Sequence, residues 1–167
     1  MKTKILLFAG LLLVVTVTQS HATTYRGNVK GLQGVLVVTE EISPDLEKDG
    51  VTQAQLKTRV VELKLRQAGI RVLTEDEWLK TPGCPWLYLM INSVHGASAW
   101  VYATYVRLEL RENVKLVRDG SMAVSSAVTW QKGYGGLIGT ARLRGIYETA
   151  DNLTDEFVND FLAANPK

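Results

Sequence analysis

The sequence predicts an α+β fold, a two-layer sandwich in which helices pack on a mixed β-sheet. Three observations predict it. A β-branched segment is followed by a capped amphipathic helix and a second short apolar segment; a long stretch then alternates strictly between apolar and polar residues; and an apolar stripe recurs at helical spacing near the carboxyl terminus. The resulting order is a β-α-β unit, a long antiparallel hairpin and a C-terminal helix laid on the sheet.

Gly34–Ile42 has the β-branched density of a strand buried on both faces, and the Ser43–Gly50 stretch breaks it. Thr52 with Gln55 forms a capping-box pattern, flanked by Val51 and Leu56 at the positions of a hydrophobic staple. The helix that starts there carries Leu56, Val60 and Leu63, joined by Val61, Leu65 and Ala68, and leaves Lys57, Lys64 and Arg66 to solvent. Gly69 ends it as a left-handed residue. Ile70–Leu73 then reads as the second strand of a right-handed crossover, and Thr74 caps a short acidic-start helix running to Lys80 with Trp78 turned to the core.

Trp86–Val94 is apolar at nearly every position and reads as a central strand. In the next strand Trp100, Tyr102, Thr104, Val106, Leu108, Leu110, Val114 and Leu116 share one phase, while Arg107, Glu109, Arg111 and Lys115 share the other. Keeping the apolar phase across the turn selects a three-residue loop, Arg118–Gly120, which pairs Leu116 with Met122, Val114 with Val124 and Leu110 with Val128. Gly133–Gly139 reads as a flexible, mobile connection. A helix from about Thr140 to Ala163 then buries Leu143, Ile146, Tyr147, Ala150, Leu153, Phe157 and Phe161.

The amino terminus has a different logic. Lys2 and Lys4 precede an uncharged run from Ile5 to Val17, and small residues follow at Ser20 and Ala22. This is the pattern of a cleavable signal peptide over residues 1–22, leaving one α/β domain over residues 23–167. The run is shorter than the roughly 20 residues a spanning helix needs, so no membrane span is expected after cleavage. The expected location is periplasmic or secreted. Lys2 and Lys4 account for the net charge of +2; without them Lys+Arg balance Asp+Glu, which gives nucleic acid no basic surface to bind.

Cys84 is the sole cysteine, so no internal disulfide is expected; it sits in the turn-forming Thr81–Pro85 stretch. His95 is the one histidine beyond residue 22, which leaves no histidine pair for zinc, and no Cys-x-x-Cys or Gly-x-Ser-x-Gly motif accompanies it. Gly133–Gly139 joins a strand to a helix, where phosphate loops occur, but it lacks the Lys-Ser/Thr of a Walker loop. No cofactor, metal or catalytic residue is predicted. Arg107, Glu109 and Arg111 read as a solvated strand surface of alternating charge. Among the aromatic residues Trp100, Tyr102 and Trp130 share the apolar phase and are expected in the core. Tyr105, in the opposite phase, and Tyr134, Leu137 and Ile138, in the glycine-rich segment, are the candidate partner contacts.

The Gly34–Ile42 strand, the Thr52–Gly69 helix with Ile70–Leu73, and the terminal helix together resemble the small α/β periplasmic domains of bacterial envelope assembly and secretion proteins. The curli-secretion channel's periplasmic domain and the amino-terminal domain of the Tol-system β-propeller protein are of this kind. The resemblance covers most of residues 23–167 as a pattern of elements and carries no site residue across. It implies a non-enzymatic binding or assembly role in the cell envelope, with an envelope protein or a second copy as partner. The alternative is an exported, hydrolase-like enzyme whose site gathers scattered residues such as His95, Arg107 and Glu109.

Overall fold

The computed structural model describes residues 26–96, 100–123 and 126–166, with side chains from Asn28 onward. The predicted signal peptide and Val124 lie outside the described residues.

A mixed four-stranded sheet runs in the order β1 (Leu36–Thr39), β2 (Trp86–His95), β3 (Val101–Glu112) and β4 (Ala127–Gly139). β1 and β2 are parallel, and the remaining pairs are antiparallel. Helices cover one face: α1 (Pro44–Lys48), the helix from Gln53 to Gln67, and α5 (Arg144–Ala164). α4 (Glu75–Lys80) lies between them in the chain. Between sheet and helices sits one core, in which Val37, Leu87, Leu89, Val106, Leu108 and Leu110 meet Leu56, Val61, Leu65, Ile146, Leu153 and Phe157. The α+β sandwich with its C-terminal helix on the sheet is thus as the residue pattern predicts.

The β-α-β unit is smaller than expected. Ile70–Leu73 contributes only a parallel bridge, Val35 to Val72, held by Val35 N–H to Arg71 O at 3.0 Å and Leu73 N–H to Val35 O at 2.9 Å. Two local signals squeeze it. Gly69, at φ +76°, closes the preceding helix with a Schellman pair, its own N–H to Arg66 O and Ile70 N–H to Leu65 O. Thr74 then already caps α4 in a full capping box with Glu77. The parallel partner of β1 is therefore β2. β1 itself is shorter than Gly34–Ile42 and buried on one face only: Val37 is in the core, while Leu36 and Val38 are half-buried.

The long helix begins where expected, with Thr52 Oγ1 accepting from Gln55 N–H. The reciprocal half of the capping box is taken by another residue, since Thr52 N–H donates to Tyr147 Oη at 2.9 Å and that hydroxyl lies 3.0 Å from Gln55 Oε1. The middle of the helix corrects the face assignment. Leu56–Glu62 is π-helical, closed by Leu63 N–H to Thr58 O, between α2 (Gln53–Gln55) and α3 (Leu63–Gln67). The wider turn places Leu56 and Val61 on the core together and turns Leu63 outward, to 48 % exposure. Lys64 is not left to solvent: its Nζ sits 2.6 Å from Asp151 and 2.8 Å from Asp155, joining this helix to α5.

β3 buries Tyr102, Thr104, Val106, Leu108 and Leu110 in the expected phase. Trp100 is 84 % exposed rather than core: it stands one residue before β3, at the end of the sheet, and is not among the residues of the core cluster. The hairpin register also differs. Leu110 pairs with Trp130 but Arg111 with Val128, so Thr129 is an extra residue in a bulge. Trp130 thereby keeps the core phase while Val128 moves to the charged face, 44 % exposed. Beyond the bulge Met122 bridges to Lys115 rather than Leu116, and the turn is Val117–Gly120, with Leu116 N–H bonded to Ser121 O. Asp119 organises it by accepting from the Ser121 N–H at 3.0 Å and hydroxyl at 2.6 Å.

The largest correction concerns Gly133–Gly139, which is not a connection. It is the second half of β4, paired with Val101–Arg107. The chain enters α5 only afterwards, through a 3₁₀ turn over Thr140–Arg142. Of the expected stripe, Leu143 just before α5 and Ile146, Ala150, Leu153 and Phe157 within it are buried, joined by Thr154, Val158 and Asp160, while Tyr147 and Phe161 are half-buried. Asn165 beyond its end accepts from Gly31 N–H at 2.7 Å and donates to Val29 O at 3.0 Å, tying the carboxyl end of the domain to its first turn.

Candidate functional site

The face of the sheet turned away from the helices carries the phase of β3 that contains Tyr105, Arg107, Glu109 and Arg111. The β2–β3 register sets Met90 against Arg107, Tyr88 against Glu109 and Trp86 against Arg111. Glu109 is only 1 % exposed. Its Oε2 accepts from Arg111 Nε at 2.7 Å, and its Oε1 lies 2.8 Å from Arg107 Nε as a charge contact rather than an aligned hydrogen bond. The Arg111 guanidinium is 4.6 Å from the Tyr88 ring centre and 5.6 Å from that of Trp86. The surface of alternating charge expected from the sequence is therefore a desolvated Arg-Glu-Arg cluster roofed by aromatic rings. The sequence signal for it was the pairing of an apolar-aromatic strand with a charged phase, which becomes visible only once the register is known.

Farther along this face Tyr105 lies across β4. A Cβ added at Gly133 would stand 2.6 Å from the Tyr105 hydroxyl oxygen, and one at Gly135 would stand 3.3 Å from its ring. The ring takes the space that the glycines leave, a cover that offsets the weakness of glycine in a strand. Gly133→Ala is therefore expected to displace the ring and destabilise the fold by about 1 kcal/mol. In a Tyr105→Ala background the same change should cost less, because only the Val106 carbonyl oxygen, 3.3 Å from the added Cβ, then remains close. Denaturant melts of the four proteins in the cycle measure this coupling.

The four candidate contact residues divide between the two faces. Tyr105 and Leu137 are on the open face, 41 % and 78 % exposed. Tyr134 and Ile138 are in the opposite phase, on the α5 side. Ile138 packs against the core, and Tyr134 donates a short hydrogen bond to Glu156, which also holds Lys132 Nζ at 2.6 Å. Burial pushes the Glu156 carboxyl upward, but the hydrogen bonds from Lys132 and Tyr134 outweigh it and hold the group below its ordinary value. A depressed folded-state value means that this stabilisation is present above the unfolded value, near 4.5, and disappears as pH falls through the folded one. Glu156→Gln should thus cost about 1 kcal/mol at neutral pH. The gap from the parent chain should close in acid below pH 4.5, as followed by melting temperature against pH.

The residues named for an enzymatic site do not converge. Arg107 and Glu109 are paired on the open face, whereas His95 belongs to the opposite phase of β2, its ring 4.7 Å from that of Tyr102. A cleft lined by Lys30, Gln33, Thr81, Pro85 and Glu112 holds about 100 Å³, less than the roughly 300 Å³ at which small-molecule sites begin. Among the described residues no three His, Cys, Asp or Glu side chains are grouped to hold a metal, and no helix is long and apolar enough to cross a membrane.

The feature that sequence reasoning missed is the outer edge of β4, which pairs with no further strand among the described residues. Thr140 N–H donates to Trp100 O at 2.9 Å, continuing the β3–β4 ladder. Narrow pairs in that ladder therefore fall on even-numbered residues. The odd-numbered residues of β4, Gln131, Gly133, Gly135, Leu137 and Gly139, turn their backbone N–H and C=O groups away from β3. Asn28 Nδ2 caps the edge at Thr129 O, 2.8 Å away. From Gly133 to Gly139 the edge contains no charge and no proline, the usual guards of an exposed strand.

Comparison with protein-family models, with curated proteins and with solved structures returned no match.

Proposed function

We propose that the protein is an exported, non-enzymatic binding or assembly component of the bacterial cell envelope, periplasmic or secreted, which takes its partner by strand addition at the edge of β4. The observation that carries this reading is the unguarded run from Gly133 to Gly139, whose outward hydrogen-bonding groups belong mainly to glycines and so meet no side-chain obstruction. The glycines are compatible with a well-formed strand because Tyr105 covers two of them. Export is supported by the Lys2/Lys4 start and the uncharged run to Val17.

Fractionation of cells expressing the full chain tests both parts. The expected result is a shortened chain in the periplasmic extract or medium, in a native complex larger than a monomer, from which Leu137→Pro releases it. Proline at this position removes an outward N–H and leaves the β3 ladder intact. Retention of the uncut chain in the cytoplasm would defeat export. A complex indifferent to Leu137→Pro would defeat the edge.

A further inference from the structure

We infer that the strand added at this edge is β4 of a second copy of the chain, antiparallel to the first about a two-fold axis through Gly135. The inference rests on the strand-addition reading above and names its partner. The edge is self-complementary. Outward-facing residues must pair with outward-facing residues, so the two-fold places Gly135 against its own copy, Gly133 against Leu137 and Gln131 against Gly139. In the same register Tyr134 falls opposite Gly136. Each bulky side chain of the Gly133–Leu137 run, read against itself reversed, thus meets a glycine. An arbitrary partner strand has no reason to satisfy this pattern.

Charge and exposure agree with it. No charged residue lies between Gly133 and Gly139, so the symmetric contact opposes no like charges. Lys132, the nearest, is already engaged by Glu156 on the helix side. Leu137, at 78 % exposure, has little to pack on within its own chain. In the paired state it lies over the partner's Gly133 position, beside the Tyr105 ring that covers that glycine. The contact joins the two sheets into one continuous sheet and removes the free edge from both. One strand with two flanking side chains per copy is a small contact beside a standard interface, so the dimer should be weak and concentration-dependent.

Sedimentation of the purified protein from about 1 µM to about 1 mM, the range in which weak association falls, tests the inference. The expected result is a monomer–dimer equilibrium weakened at least tenfold by Leu137→Pro and by Leu137→Lys. Val94→Lys, at an exposed position elsewhere on the open face, should leave it unchanged. Amide exchange of the same samples should show Gln131, Gly133, Gly135 and Leu137 gaining protection as concentration rises. Isotope-filtered contacts in a mixed-label sample should join Leu137 methyls of one copy to the Tyr105 ring of the other. A dimer insensitive to both Leu137 changes, or one that leaves the odd-numbered amides unprotected, overturns the inference. A monomer across the whole range also overturns it. If the complex recovered from cells then still depends on Leu137, strand addition stands with a different partner; if it does not, both readings fall.

Discussion

Replacing Trp130 with alanine is expected to destabilise the protein by about 3–5 kcal/mol, the range for deleting a large buried aromatic residue. Trp130 is 2 % exposed, stands edge-on to Phe157 with ring centres 5.1 Å apart, and donates from Nε1 to Asp160 Oδ2 at 3.0 Å. It is the largest side chain through which β4 packs on α5, so its loss removes packing from both layers at once. For a domain of this size the melting temperature should fall by about 10 °C or more. Trp130→Phe, which keeps most of the volume and gives up the hydrogen bond, should cost about half as much or less. Equal losses from the two variants would mean that the Asp160 hydrogen bond, not the packing, dominates.

The second large effect is at Glu109. Removing its carboxylate leaves two guanidinium groups facing one another on a desolvated surface, and breaking a buried ion pair from one side costs about 3–5 kcal/mol. Arg107 and Arg111 retain 29 % and 28 % side-chain exposure and can recover some hydration, so Glu109→Ala should cost about 2–3 kcal/mol. Replacing the whole cluster, as Arg107→Leu, Glu109→Leu and Arg111→Met together, should be within about 1 kcal/mol of the parent chain or more stable, because it removes the desolvation cost along with the attraction. Chemical denaturation decides the matter. A triple variant as unstable as Glu109→Ala would show that the cluster stabilises the fold outright.

The helix caps, the alternation of β3 and the stripe of α5 were legible in the sequence because each depends on residues a few positions apart. Thr74 as a cap, Gly69, and the even-numbered residues from Tyr102 to Leu110 behave in the structure as the sequence predicts. The features that were not legible depend on residues distant in the chain. Glycines at 133 and 135 read locally as a flexible linker, and nothing near them in sequence reveals that the Tyr105 ring covers them. Glu109 reads as a solvated charge until the register sets Tyr88 beside it. The bulge at Thr129 likewise cannot be inferred from alternation, since it exists to keep Trp130 in the core after the phase has slipped at the hairpin tip.

The proposed candidate contacts show the same division. Tyr105 and Leu137 are on one face and Tyr134 and Ile138 on the other, a separation that follows only from the glycine-rich segment being a strand. Once it is a strand, the property that matters is which backbone groups face outward, and that information lies in ladder parity rather than in any side chain.

Residue-resolved amide exchange on a dilute sample tests that central claim most directly. The expected result is alternation along β4: Lys132, Tyr134, Gly136 and Ile138 protected by β3, and Gln131, Gly133, Gly135 and Leu137 exchanging quickly at the open edge. Uniformly fast exchange from Gly133 to Gly139 would contradict it, because the segment would then be the flexible connection its glycines suggest and would offer no edge for a second strand.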